Sequence, residues 1–166
     1  MRIAGVHTNT LLDYPGHIAT MIFTAWCNLR CRFCHNPEFV LPEKIKQLKD
    51  LIPEEVFFSF LKTRIWLIEG VVICWWEPTL QPDLVTFCRK IKDQWLLVKL
   101  DTNGRDPDIL AYMIQEWIVD YIAMDIKTDG TLRERLINSK ESLTPYHRSI
   151  ALLLEWTIDY EFRTTM

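Results

Sequence analysis

The chain has 166 residues and a mass of 19.8 kDa, enough for one domain spanning 1–166 and little more. Hydrophobic residues make up 49% and charged residues 25%, which excludes a disordered or fibrous chain. A net charge of −3 leaves no basic face to hold nucleic acid or an anionic membrane.

In chain order, short β-branched and apolar runs predict strands at 18–24, Gly70–Cys74, 96–100, 119–126 and 158–164. Their continuous apolar character is that of strands covered on both faces. Helices are predicted between them. Pro53 opens the first, with Glu54 and Glu55 in its first turn and Val56, Phe57, Phe60, Leu61 and Ile65 as its apolar stripe. Pro82 opens the second, which turns Leu84, Val85, Cys88 and Ile91 inward. Asp106 and Pro107 start the third, with Ile109, Leu110, Met113 and Ile114 inward. Thr144 and Pro145 start the fourth, carrying Ile150, Leu153 and Leu154. Residues 43–50 (EKIKQLKD) suit a solvated loop or helix. Strand–helix alternation predicts βαβ units, a parallel sheet and right-handed crossovers. Five strands cannot close an eight-stranded barrel, which takes about 250 residues, so the expected fold is α/β, a partial and open parallel (β/α) barrel. The final residues, YEFRTTM, look like a strand cut short, so the chain is expected to be C-terminally truncated.

The N-terminus has no charged segment followed by an apolar one, so a signal peptide is not expected. The best apolar run, 65–76, is interrupted by Glu69 and Gly70 and falls short of the roughly 20 residues a membrane helix needs. A cytoplasmic location, where thiols stay reduced, is the expectation. Cys27, Cys31 and Cys34 then form C-x3-C-x2-C in the loop after the first predicted strand. Three such thiols argue for metal rather than disulfides. Structural zinc wants four ligands, and His35 follows Cys34 too directly to be the fourth. Three thiolates suit a [4Fe–4S] cluster with one iron open to another ligand; zinc and unligated thiols are the competing readings. Cys74 and Cys88 read as small buried hydrophobes.

With Phe33 before the third cysteine, this spacing resembles the radical S-adenosylmethionine (SAM) superfamily. Five further blocks narrow the resemblance: LDYPG at 12–16, CHNP at 34–37, EPTLQPD at 77–83, LDTNG at 100–104 and DYIAMDIK at 120–127. Together they are similar to the activating proteins of anaerobic ribonucleoside-triphosphate reductases, relatives of the pyruvate formate-lyase activating enzymes. The resemblance implies an enzyme that uses a [4Fe–4S] cluster to cleave SAM reductively. The 5′-deoxyadenosyl radical so formed takes hydrogen from a glycine of the reductase large subunit, with flavodoxin or ferredoxin as electron donor. It also implies roles: Cys27, Cys31 and Cys34 on the cluster, Glu77 on the SAM amino group, Lys127 and Arg163 on its carboxylate, and Phe33 against adenine. Asp101, Thr102, Asp125 and the Ala123 carbonyl would hold a monovalent cation, an oxygen set that suits a hard ion. Trp75, Trp76 and Asn103 complete the expected cofactor-binding set. Every one of these residues falls after a predicted strand or near its C-terminal end, the rim on which α/β barrels carry their sites.

One departure is systematic. Where the family has two glycines before the glutamate, this chain has Trp75 and Trp76, and Trp26 replaces a glycine before the first cysteine. Trp66, Trp95, Trp117 and Trp156 also stand at helix ends or turns that favour glycine. Glycine numbers only 5 and tryptophan 7; together they come to about 7% of the chain, the ordinary share of glycine alone. All seven are therefore expected to be glycines of the natural protein, from a UGA codon read as glycine in the source and written here as tryptophan, with a degenerate paralogue as the competing reading. Two readings compete: a radical SAM enzyme with another substrate and, because Trp75 and Trp76 replace the expected glycines, a degenerate, non-catalytic iron–sulfur module.

Overall fold

The computed structural model describes residues 1–32, 34, 40, 51–127 and 142–164. Phe33, His35 and the 43–50 segment lie outside the described residues. Six strands form one sheet whose spatial order is the chain order: β1 (Ile3–Thr10), β2 (Ala19–Thr24), β3 (Gly70–Cys74), β4 (Leu97–Thr102), β5 (Tyr121–Lys127) and β6 (Asp159–Thr164). β2 through β6 run parallel, and β1 is antiparallel to β2. Among the described residues four α-helices stand between the strands: α1 (Glu54–Lys62), α2 (Leu84–Lys92), α3 (Pro107–Gln115) and α4 (Thr144–Glu155). This is the expected open parallel sheet with one strand more, and no described helix is long and apolar enough to cross a membrane.

Alternation along the strands divides the sheet into two faces. One carries Ile22, Val71, Ile73, Val98, Leu100 and Ile122 into a core with Phe57 and Leu61 of α1, Phe87 and Ile91 of α2, Leu110 and Met113 of α3, and Leu153 of α4. The other carries Met21, Val72 and Cys74, capped by Tyr14. Towards β6 this second face turns charged, with Lys99 and Asp101 on β4, Asp125 on β5, and Glu161 and Arg163 on β6. The helices cover only the first face, which leaves the second as barrel interior.

Helix starts follow their sequence signals. Asp106 accepts a hydrogen bond from the Ile109 amide at 3.1 Å and so caps α3. Two expected inward residues are instead exposed, Val56 on α1 and Leu154 on α4, with Phe87 and Tyr146 taking core places.

Candidate active site

A cavity of about 520 Å³ opens at the C-terminal ends of the parallel strands. Its walls include Cys27, Cys31 and Cys34 from the loop after β2, Trp75 and Trp76 after β3, and Asp101, Thr102 and Asn103 at the end of β4. Asp125 and Lys127 of β5 and Arg163 of β6 close the other side. Thus eleven of the thirteen residues chosen from sequence meet on one cavity. The other two are Phe33, outside the described residues, and Glu77, which lies behind the wall.

The three thiols pack with Leu29, Val40 and Trp76 into a small apolar cluster. Burial pushes the Cys27 thiol up to about 12, against a hydrogen bond donated by the Leu29 amide to its Sγ at 3.4 Å. Burial likewise raises Cys31, with Lys127 pulling the other way. Thiolates in such a pocket need a cationic group, and an iron–sulfur cluster supplies one. No three His, Cys, Asp or Glu side chains among the described residues converge as a site for one ion. Zinc needs sulfurs about 2.3 Å from a single centre, whereas a cube offers each thiolate its own iron. The donor set therefore fits a cluster better than zinc.

Glu77 is fully buried. Its Oε1 accepts from the Thr79 amide at 3.2 Å and the Thr102 hydroxyl at 2.7 Å, and its Oε2 accepts from the Asn103 amide at 2.6 Å. Its own amide donates to the Trp26 carbonyl at 3.0 Å. With Thr24 donating to the Trp75 carbonyl at 2.8 Å, the loops after β2, β3 and β4 are tied into one unit. Both carboxylate oxygens face protein donors, so the structure gives Glu77 an anchoring place beneath the cavity rather than a place in its lining.

On the opposite wall an ion-pair chain crosses three strands. Lys99 Nζ lies 2.6 Å from Asp101, Arg163 reaches Asp101 at 2.9 Å and Asp125 at 3.1 Å, and Lys127 lies 2.6 Å from Asp125. Glu161 adds a contact to Lys99 at 3.6 Å. Register explains the meeting, because Asp125 pairs directly with Arg163, and Ala123 separates Asp101 from Glu161. Arg163 bridges the two aspartates that the sequence reading offered to a monovalent cation, and each aspartate also holds a lysine. The guanidinium already provides the positive charge expected there. Lys127 sits at a register shift with φ 61°, a strained backbone that aims its amine along the rim.

Sequence reasoning missed Lys99, whose side chain is 1% exposed, as well as the cavity residues Asp13, Met21, Cys74 and Thr164. A single charge inside the apolar run LLVKL was the available signal for Lys99. Asp101→Asn removes the charge shared by Lys99 and Arg163, and we expect it to cost about 2 kcal/mol in urea unfolding.

Residues 21–165 match the radical SAM superfamily, and the chain belongs to it. That superfamily comprises enzymes that use a [4Fe–4S] cluster with SAM. A Methanocaldococcus jannaschii protein assigned as a glycyl-radical enzyme activating enzyme is 32% identical over 126 residues, 75% of this chain and 50% of that one. The pyruvate formate-lyase-activating enzyme of Clostridium pasteurianum is 29% identical over 130 residues, covering 76% and 52%. The chain thus spans about half the length of these curated relatives. Among solved structures, anSMEcpe with bound AdoMet superposes with a TM-score of 0.58 at 16% identity, over 83% of this chain and 41% of that one, a likeness of fold.

Proposed function

We propose that this chain is the SAM-cleaving barrel of a glycyl-radical activating enzyme, a single partial-barrel domain, and that its substrate is the large subunit of anaerobic ribonucleoside-triphosphate reductase. The carrying observation is the cavity with three thiols on one wall and paired acidic and basic side chains on the other. When bound, the cluster supplies the electron that splits SAM into methionine and a 5′-deoxyadenosyl radical.

The residues divide the remaining work. Cys27, Cys31 and Cys34 would hold the cluster through three of its irons, which would leave one iron open to SAM. Arg163 and Lys127 meet the SAM carboxylate, and Asp101 and Asp125 fix the reach of both cations. Thr102 and Asn103 pin the turn after β4 to Glu77 and keep that wall rigid. Residues 75 and 76 stand on the cavity wall beside the thiols, and the part of Phe33 against adenine is the one the family resemblance implies. Electrons come from flavodoxin or ferredoxin in the cytoplasm. The activase reading draws on the two relatives above; the reductase reading draws on the sequence blocks.

The test is anaerobic reconstitution with iron, sulfide, SAM and a reductant. 5′-Deoxyadenosine is expected in the assay, along with a glycyl-radical signal on the reductase large subunit but not on pyruvate formate-lyase. A signal on the lyase alone would reassign the substrate. No deoxyadenosine from a protein carrying its cluster would favour the non-catalytic module.

A further inference from the structure

Among the described residues, six that are not glycine have positive φ: Trp26 (93°), Trp75 (64°), Trp76 (52°), Trp95 (63°), Trp117 (53°) and Lys127 (61°). Five of the six are tryptophan, in a chain with seven. The left-handed region penalises any side chain with a Cβ, and for a bulky aromatic it is a genuine outlier. They fall in three places: Trp95 and Trp117 follow helices, Trp75 and Trp76 line the cavity, and Trp26 precedes the first cysteine. At Trp117 the helix ends in a Schellman motif. The Trp117 amide donates to the Ile114 carbonyl at 3.1 Å and the Ile118 amide to the Met113 carbonyl at 2.9 Å, which puts residue 117 at the position usually held by glycine. After α2 the Trp95 amide likewise donates to the Lys92 carbonyl, at 2.9 Å. Their indoles project into solvent, 96% exposed at Trp95 and 78% at Trp117, so no packing compensates the strain.

We propose that the functional polypeptide carries glycine at positions 26, 75, 76, 95 and 117, because its source decodes as glycine a codon written here as tryptophan. One decoding rule accounts for five strained sites and for the glycine deficit together. It extends to Trp66 and Trp156, although neither has positive φ: the turn at 66 lies on the ordinary side and residue 156 is extended at φ −98°, ψ 154°. Backbone that favours glycine is thus present at five of the seven tryptophans. At the site the consequence is chemical. The Trp75 ring lies tilted 4.3 Å from Phe23 and edge-on 5.2 Å from Trp76, and bare backbone at 26, 75 and 76 would replace two indoles of the cavity wall. Amides and carbonyls could then approach a ligand directly.

Two measurements test this without reading activity, so they stand apart from the proposed function. Peptide mass spectrometry of the protein purified from its source should find residue 95 lighter by an indolylmethyl group in the tryptic peptide 93–99, and residue 117 likewise in 106–127. Tryptophan at either position overturns the proposal. In protein expressed with the sequence as written, the W95G/W117G double variant should raise Tm by about 4–8 °C, the net of relieved strain and greater unfolded-state freedom. W66G, at ordinary φ, should bring no rise. An unchanged or lower Tm in the double variant, or an equal gain from W66G, would also overturn it.

Discussion

Cys31→Ser is expected to abolish iron binding and to lower SAM cleavage by more than about 100-fold, a larger loss than removal of an outer-shell partner brings. Iron content and 5′-deoxyadenosine yield, measured on the same anaerobic preparation, check it. Cys31 is partly exposed and sits in a loop outside the helix-backed core, so its loss should leave unfolding by urea within about 0.5 kcal/mol of the parent. Cys88→Ser is the informative companion. That thiol is buried on α2, away from the cavity, and its replacement should weaken the core yet leave iron content unchanged. If Cys31→Ser keeps its iron, the three-thiol site is wrong.

Glu77→Ala should be the most damaging single change to stability away from the apolar core, at about 3–4 kcal/mol, or a fall in Tm of roughly 6–16 °C. It strands the Asn103 amide and the Thr102 hydroxyl in a dry interior and unties the loop after β4 from the loop after β3, while the backbone bond from residue 77 to Trp26 remains. pH provides a second reading. Burial raises the Glu77 carboxyl above the usual glutamate range, and the bonds from Thr79, Asn103 and Thr102 recover only part of the shift. The unfolded chain therefore releases this proton at lower pH than the folded one. Between the two values the unfolded state holds fewer protons, so this group's contribution makes stability fall as pH rises, levelling off above the folded-state value. Glu77→Gln should lose that slope; a parent–variant difference that does not change with pH would show that Glu77 keeps an ordinary carboxyl.

The parts legible in the sequence were those governed by local pattern. β3 was predicted to the residue because all five of its positions are buried and apolar. β1 was missed because it is an edge strand whose middle, His7 to Asn9, is exposed, so no apolar run announces it. The rim residues were legible because chemistry in a parallel barrel collects where strands end. What one strand owes to another was not. Arg163 finds Asp101 two strands away, and Lys99 is buried by the same arrangement, neither of which a linear pattern contains. Glu77 shows a further limit. Spacing placed it at the site, but whether its carboxylate faces the cavity or the wall behind depends on the turn at 75–76, whose backbone angles the written side chains disguise.

Because each strand lies beside the one made just before it, the growing chain can lay down this sheet vectorially as it leaves the ribosome, with no strand waiting for a distant partner. The cysteine loop emerges early, after the second strand, but Asp101 and Asp125 are clasped only when Arg163 arrives on the sixth. Metallocluster insertion before that point would meet an unfinished pocket, so maturation belongs after synthesis of the sixth strand.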